Sequence, residues 1–256
     1  MKIALITGAS SGMGREYARQ IDKMKECDEI WIVARREDRL NALKEELSAT
    51  TRVLPFDLTD GEQLGALIEA VKSSGAEVKY LVNAAGFGKF GNYSEVSLAD
   101  VVGMIDLNDK ALTLLTAALI PQMKRDSHII EMCSISAYLP LENMSVYAAS
   151  KAYVLSYCYA LRAELKKTGI TVTAVCPGWV DTEFAACAHN GDGVNGPKDL
   201  KPITTADKIV RRAIKAANKN KPVSIYGATW KAMHVMTKLL PKSVGMALWH
   251  SMQKRR

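Results

Sequence analysis

Short apolar runs rich in β-branched residues alternate along the chain with longer stretches whose apolar residues recur every three or four positions. The short runs are KIALIT (2–7), EIWIVA (29–34), RVLPF (52–56), KYLVN (79–83), HIIEMC (128–133), TVTAVC (171–176) and PVSIY (222–226). Each reads as a strand. Between them the helical periodicity predicts helices over 12–25, 37–49, 61–74, 97–123, 146–167 and 206–219, several opening on Gly, Asp or Ser. Near-continuous apolar strands alternating with helices specify an α/β fold, a parallel sheet covered on both faces. In such sheets ligands bind beyond the carboxyl ends of the strands, so functional residues are expected just after them. The pattern lapses once, over 183–203, where glycine, asparagine and proline predict a long loop. Loops of that length in a compact domain usually carry function, and a substrate lid is the expectation.

Composition narrows this. With 256 residues, 48% hydrophobic and 24% charged, the chain is expected to form one domain over 1–256. The opening MKIALITGAS is apolar for only about six residues, too short for a signal peptide or membrane span, which predicts a cytoplasmic protein. Five cysteines, Cys27, Cys133, Cys158, Cys176 and Cys187, lie scattered without a CxxC or a Cys/His cluster. No disulfide framework or metal site is expected, and the thiols read as buried and free. The formal charge of +7 is uneven: from Lys198 onwards fourteen Lys and Arg face only Asp199 and Asp207, whereas residues 1–197 carry twenty basic and twenty-five acidic side chains. The tail, 228–256, reads as a basic amphipathic extension that Pro241 divides into two short helices. Such a tail suits an anionic membrane surface, but a cover for the substrate pocket or a subunit interface is the favoured expectation. No nucleic-acid partner is expected.

TGASSGMG, Thr7 to Gly14, follows the first strand and opens the first helix. Glycine permits positive φ and close approach of a ligand to the backbone, and helix-start N–H groups favour phosphate. The strand–turn–helix context is what a dinucleotide fingerprint requires. At the end of the second strand, where an acidic residue would accept from a ribose 2′-hydroxyl, stand Arg35 and Arg36. Guanidinium groups suit a 2′-phosphate instead, so NADP(H) is expected over NAD(H). The competing expectation is a solvated helix start pairing with Glu37, Asp38 or other local acids.

TGASSGMG, NAAG (83–86), YAASK (147–151) and PGWVDT (177–182) occur in an order and spacing that resembles the short-chain dehydrogenase/reductase family over roughly residues 1–226. The departures are small: Ala84 and Met13 stand where asparagine and isoleucine are common. The resemblance implies a doubly wound Rossmann fold with a seven-stranded parallel sheet. It makes Tyr147 the proton donor and acceptor, Ser134 the hydrogen-bond partner of the substrate oxygen, and Asn108 the holder of a water leading to Lys151. For the cofactor it implies Gly8, Ser10, Ser11, Gly12, Met13, Gly14, Arg35 and Arg36, with Asp57 and Leu58 at the adenine. Asn83, Ala84, Ala85 and Gly86 follow at the adenosine ribose, Tyr147 and Lys151 at the nicotinamide ribose, and Pro177, Gly178, Val180 and Thr182 at the nicotinamide.

Lys151 lies one helical turn after Tyr147 on the same face. A phenol has a pKa of about 10, and bringing it near neutrality needs roughly 4 kcal/mol at about 1.36 kcal/mol per unit. Lys151 and the positive ring of an oxidised cofactor are the expected source. The implied activity is interconversion of a ketone and a secondary alcohol. Ser134, Tyr138, Leu141, Met144, Tyr147 and Phe184 are the expected substrate contacts. Their apolar character, with adaptable methionines, points to a bulky substrate such as a hydroxysteroid or a long-chain ketoacyl compound; small aromatic or sugar carbonyls are the alternative. A non-catalytic NADP(H) sensor on the same fold has no need of all of Asn108, Ser134, Tyr147 and Lys151. A homodimer or homotetramer pairing through helices 97–123 and 146–167 is also implied.

Overall fold

The computed structural model describes residues 1–188 and 203–254. The first half runs β1 (Lys2–Thr7), α1 (Gly12–Met24), β2 (Glu29–Val33), α2 (Glu37–Lys44), β3 (Thr50–Leu54), α3 (Gly61–Ser73), β4 (Glu77–Asn83), α4 (Leu98–Ile105) and α5 (Leu112–Leu119). There follow β5 (His128–Met132), α6 (Ser145–Glu164), β6 (Thr171–Val175), β7 (Val180–Asp181), α7 (Phe184–Ala188) and β8 (Thr204–Thr205). The chain then forms α8 (Ala206–Asn218), β9 (Val223–Ser224), α9 (Ala228–Leu239) and α10 (Lys242–Lys254).

Seven strands form one parallel sheet in the order β3-β2-β1-β4-β5-β6-β9. Side chains alternate across a strand, and β1 shows why the sheet needs two covers. Ile3 and Leu5 pack on the face covered by Leu67 of α3, Leu115 of α5 and Val154 of α6. Ala4 and Ile6 pack on the other face with Ile21 of α1, Leu40 of α2 and Val210 of α8. Truncating a fully buried leucine such as Leu67 to alanine costs about 2–5 kcal/mol in a core of this kind. The strand order reverses beside β1, between β2 on one side and β4 on the other, and this opens the crevice at their carboxyl ends.

Several elements differ from the periodicity. The helix expected over 97–123 is broken by a π-helical turn, Asp106–Ala111, and closes in a 3-10 turn, Ile120–Gln122. Pro121 lacks the N–H an α-helix would use. The π turn accommodates one more residue per hydrogen-bonded loop than α-helix and carries the fully buried Asn108. The helix expected to Ala49 stops at Lys44, because the Asp22 carboxylate accepts the backbone N–H groups of Ser48 at 3.0 Å and Ala49 at 2.8 Å. A small parallel pair, β7 with β8 (Val180 opposite Thr204), had no sequence signal. It joins the two ends of the expected lid, whose residues 189–202 lie outside the described ones. The thiols are not uniformly buried: Cys133, Cys158 and Cys176 are, Cys27 is half-buried, and Cys187 is exposed because it lies on the outer side of α7.

Candidate active site

The crevice is built first from glycines. Gly8 has φ 67°, and a Cβ there would stand 2.7 Å from the Ala85 backbone nitrogen; a Cβ on Gly14 would stand 2.3 Å from the Gly8 carbonyl oxygen. The Thr7 hydroxyl accepts from the Ala85 N–H at 3.1 Å, locking the ends of β1 and β4 together. Ser11 precedes α1 without a side-chain cap hydrogen bond. Arg36 reaches over this turn, donating to the Ser10 hydroxyl at 3.0 Å and the Ser11 hydroxyl at 2.9 Å. Its Nη1 also meets Glu183 Oε2 at 2.9 Å, and the other Glu183 oxygen pairs with Arg39. Arg35 lies 3.7 Å from Asp57, whose carboxylate accepts from Thr59. The side chain of Leu58 is buried in the core, and Met13 packs against the α1 face of the sheet.

Beyond the turn, the Asn83 amide donates to Thr116 at 2.8 Å and to the buried carboxylate of Glu131 at 3.1 Å. Gly86 runs close against Asn108 and Lys151, where an added Cβ would stand 2.8 Å from Asn108 Oδ1 and 3.4 Å from Lys151 Nζ. Asn108 accepts from the Phe87 N–H at 3.1 Å and donates to the Phe87 carbonyl at 2.9 Å and to Ser150 Oγ at 3.2 Å. Tyr147 lies in the first turn of α6, and Lys151 follows one turn later with Nζ 5.7 Å from the tyrosine ring centre. That ammonium donates to the Met132 carbonyl at 2.8 Å. Ser134, at the end of β5, is hydrogen-bonded to Tyr147. Asn108, Ser134, Tyr147 and Lys151 are thus brought together, all buried.

Electrostatics here differ from the sequence expectation. Burial pushes the Tyr147 phenol above its ordinary value, and the Ser134 hydrogen bond offsets this only in part. Burial also lowers the Lys151 ammonium below its ordinary value, against the pull of the nearby acids. In the protein alone the phenol therefore keeps its proton. Two more acids nearby are shifted: burial raises Glu131 to about 7 and Asp109 to about 6.

On the far side of Tyr147, Phe90, Met104, Met144 and Ala188 are buried around it, with Leu141, Trp179, Phe184 and Trp249 at the margin. The Phe184 ring lies 5.4 Å from that of Tyr147. Of the expected substrate contacts, Tyr138 is separated from the rest. Its ring packs on His234 at 4.2 Å and its hydroxyl meets Cys176 Sγ at 3.5 Å. The tail closes this side: the Trp249 indole donates to the Glu142 carbonyl at 3.1 Å and His250 meets the Glu142 carboxylate at 2.8 Å. In the segment expected at the nicotinamide, the Pro177 carbonyl accepts from Ile135 at 3.0 Å, Val180 pairs in β7, and Thr182 touches the place a Gly12 Cβ would take. Gly178 admits Trp230, whose ring would lie 2.0 Å from an added Cβ.

Sequence reading missed Arg39, Glu183, Gly88 and Ser150. Arg39 had a signal, one helical turn after Arg36. Gly88 had none: its lack of a Cβ matters only because Tyr147 Cδ2 would lie 2.7 Å from one. Among the described residues no cluster of three His, Cys, Asp or Glu is placed to hold a metal. The cradle fits a nicotinamide dinucleotide: two glycines whose Cβ atoms would strike backbone, a cationic pair over the turn, and a buried lysine beside the phenol.

A family model described as short chain dehydrogenase matches residues 2–192. Sulfoacetaldehyde reductase 2 of Chromohalobacter salexigens is 38% identical over 217 residues, covering 80% of this chain and 84% of that one. A short-chain dehydrogenase of Sphingobium yanoikuyae solved in complex with NADPH superposes with a TM-score of 0.78 at 27% identity, covering 100% of this chain and 98% of its own. The fold recurs, with a TM-score of 0.78 at 23% identity over 93% of this chain and 94% of the other, in a Burkholderia phymatum short chain dehydrogenase/reductase solved in complex with NAD.

Proposed function

The chain belongs to the short-chain dehydrogenase/reductase family of oxidoreductases, and we propose that it uses NADP(H) to interconvert a ketone and a secondary alcohol on a bulky apolar substrate such as a hydroxysteroid or a long-chain ketoacyl compound. The observation that carries this reading is a buried phenol, hydrogen-bonded to Ser134 and packed among the apolar side chains of Phe90, Met144, Leu141 and Phe184. The Gly8–Gly14 turn with Ser10 and Ser11 would hold the pyrophosphate, Arg36 a 2′-phosphate, and Thr182 the carboxamide. When bound, the cofactor supplies the hydride.

Ser134 donates to the substrate carbonyl oxygen, and Tyr147 gives its proton to that oxygen as negative charge develops there. A positioned acid of this kind contributes roughly 10²–10⁴ in rate. Lys151, with a water held at Asn108, would help resupply the proton from solvent. The Asn108 amide also holds the Phe87 backbone and Ser150, which keeps the Gly86–Phe87 segment against Lys151. Ser134 and Tyr147 meet on one atom of the substrate while Lys151 and Asn108 serve the proton that it receives, a set of which a sensor has no need.

Arg36 beside the turn supports NADP(H), as does the NADPH bound in the Sphingobium structure. A second reading, a small anionic aldehyde, is favoured by the likeness to a sulfoacetaldehyde reductase; the apolar walls weigh against it. The exposed Leu98, Val102, Ile105, Leu114, Tyr153 and Tyr159 on α4, α5 and α6 suit a homodimer or homotetramer. No described helix is long and apolar enough to cross a membrane, and a cytoplasmic location completes the proposal. Peripheral membrane contact through the tail is not favoured, since Trp249 and His250 are tied to Glu142.

The test is oxidation of NADPH and NADH with steroid ketones, long-chain ketoacyl esters, small aromatic ketones, sugars and sulfoacetaldehyde. Turnover of a bulky apolar class with NADPH is expected. Turnover confined to sulfoacetaldehyde or sugars would overturn the substrate reading, and equal use of NADH would overturn the cofactor reading.

A further inference from the structure

Glu183 sits just after Thr182 and just before α7, yet its carboxylate is spent on the opposite wall of the crevice. Its two oxygens divide between Arg36, 147 residues away in sequence, and Arg39. A single carboxylate bridging two guanidiniums satisfies a pair of like charges that α2 places one turn apart. It does so with the spread of acceptor oxygens that an arginine-bound phosphate also offers. The same Arg36 guanidinium holds both serine hydroxyls of the glycine turn, so the bridge stands over the turn expected to carry the cofactor phosphates. The arginines keep the Glu183 carboxyl below its ordinary range. All three side chains are about half exposed, so the pair is held by interactions that water and a competing anion can replace.

The residues around Glu183 reach the other end of the site. Thr182 closes on Gly12, the Phe184 ring lies on Tyr147, and the Ala188 carbonyl accepts from Phe90 at 2.8 Å. We propose that Glu183 is an internal stand-in for the 2′-phosphate of the cofactor. It keeps Arg36 and Arg39 in position in the free protein, yields that place to the phosphate of NADP(H), and so sets how strongly the enzyme separates NADP(H) from NAD(H). The inference rests on the NADP(H) reading and names a residue that limits that preference. With NAD(H) there is no phosphate to displace the bridge, and a carboxylate at this place also accepts from a free 2′-hydroxyl. Glu183 therefore costs the phosphorylated cofactor affinity and costs the other none.

The experiment measures dissociation constants of NADPH and NADH, by cofactor fluorescence, for the full chain and for Glu183→Gln, with thermal melts confirming that the exposed substitution leaves the fold intact. The expected result is NADPH binding about three- to tenfold tighter in the variant, from loss of an exposed two-arginine bridge, with NADH unchanged or weaker. An unchanged ratio, or weaker NADPH binding, overturns the inference. A wild type without NADPH preference that gains one in the variant supports the stand-in and sinks the cofactor reading of the native enzyme. No preference in either protein overturns both.

Discussion

At the Tyr147 end of the crevice Asn108, Ser134, Tyr147 and Lys151 are each less than one-tenth exposed, and their partners are backbone carbonyls, backbone N–H groups, the Ser150 hydroxyl and one another. At the Arg36 end the side chains of Arg35, Arg36 and Arg39 are 75%, 41% and 43% exposed, and their charged partners are the carboxylates of Asp57 and Glu183. On the proposed function the two ends have different tasks. Proton transfer needs atoms held to a fraction of an ångström, which buried hydrogen bonds to a sheet provide. Holding a charged group that must arrive and leave needs partners that solvent can replace. Salt should therefore act on one end and hardly on the other.

That contrast can be broken from either side. Apart from the tyrosine itself, the largest effect belongs to Ser134→Ala, which removes the second donor to the substrate oxygen. A fall in kcat of about 10²–10³ is expected, with NADPH affinity unchanged in a fluorescence titration. A matching loss of NADPH affinity would show that the ends are not separable.

Next comes Glu131→Gln. Burial raises the Glu131 carboxyl from 4.5 to about 7 in the folded protein, so the group favours the fold below pH 4.5, and this contribution is lost as pH rises through 7. Wild type must then carry a buried charge that glutamine does not. Relative to wild type, the variant should gain about 3 kcal/mol between pH 4.5 and 8, at about 1.36 kcal/mol per unit, read from denaturant midpoints. A gap independent of pH would mean that Glu131 is ionised throughout.

The smallest effect is at the exposed end. Arg36→Ala removes charge-assisted hydrogen bonds worth about 1.5–3 kcal/mol, and NADPH should bind about 10- to 100-fold more weakly while NADH changes less than about threefold. In wild type the NADPH advantage should shrink as NaCl is raised. An advantage independent of salt would place the phosphate in a buried site and remove the contrast.

The buried end was the more legible in the sequence. Tyr147 and Lys151 were placed on one helix face by their spacing, and Ser134 and the glycine turn fell after strands, as a parallel sheet requires. Three things escaped because they arise only on folding. The π turn at Asp106–Ala111 changes the hydrogen-bond ladder inside a run with unbroken apolar periodicity. The upward shift of the Tyr147 phenol comes from the neighbours that bury it, whereas spacing showed only Lys151. Tyr138 ends a 3-10 turn, Ile135–Tyr138, and Leu141 lies just beyond it, so no period says that one packs on His234 and the other on the apolar cluster around Tyr147. The exposed end was half legible: Arg36 was found from its distance after the glycines, but Glu183 meets it only because β7 and α7 bring that segment across the crevice.

The most direct test of the central claim, that a buried phenol rather than the bound cofactor alone carries the reaction, is Tyr147→Phe assayed for turnover and NADPH binding on the same sample. Removing one hydroxyl leaves the ring to pack against Phe184. The account predicts NADPH affinity within about twofold of wild type and ketone reduction slower by about 10²–10⁴. A variant that binds NADPH and keeps more than about a tenth of the wild-type rate would contradict it.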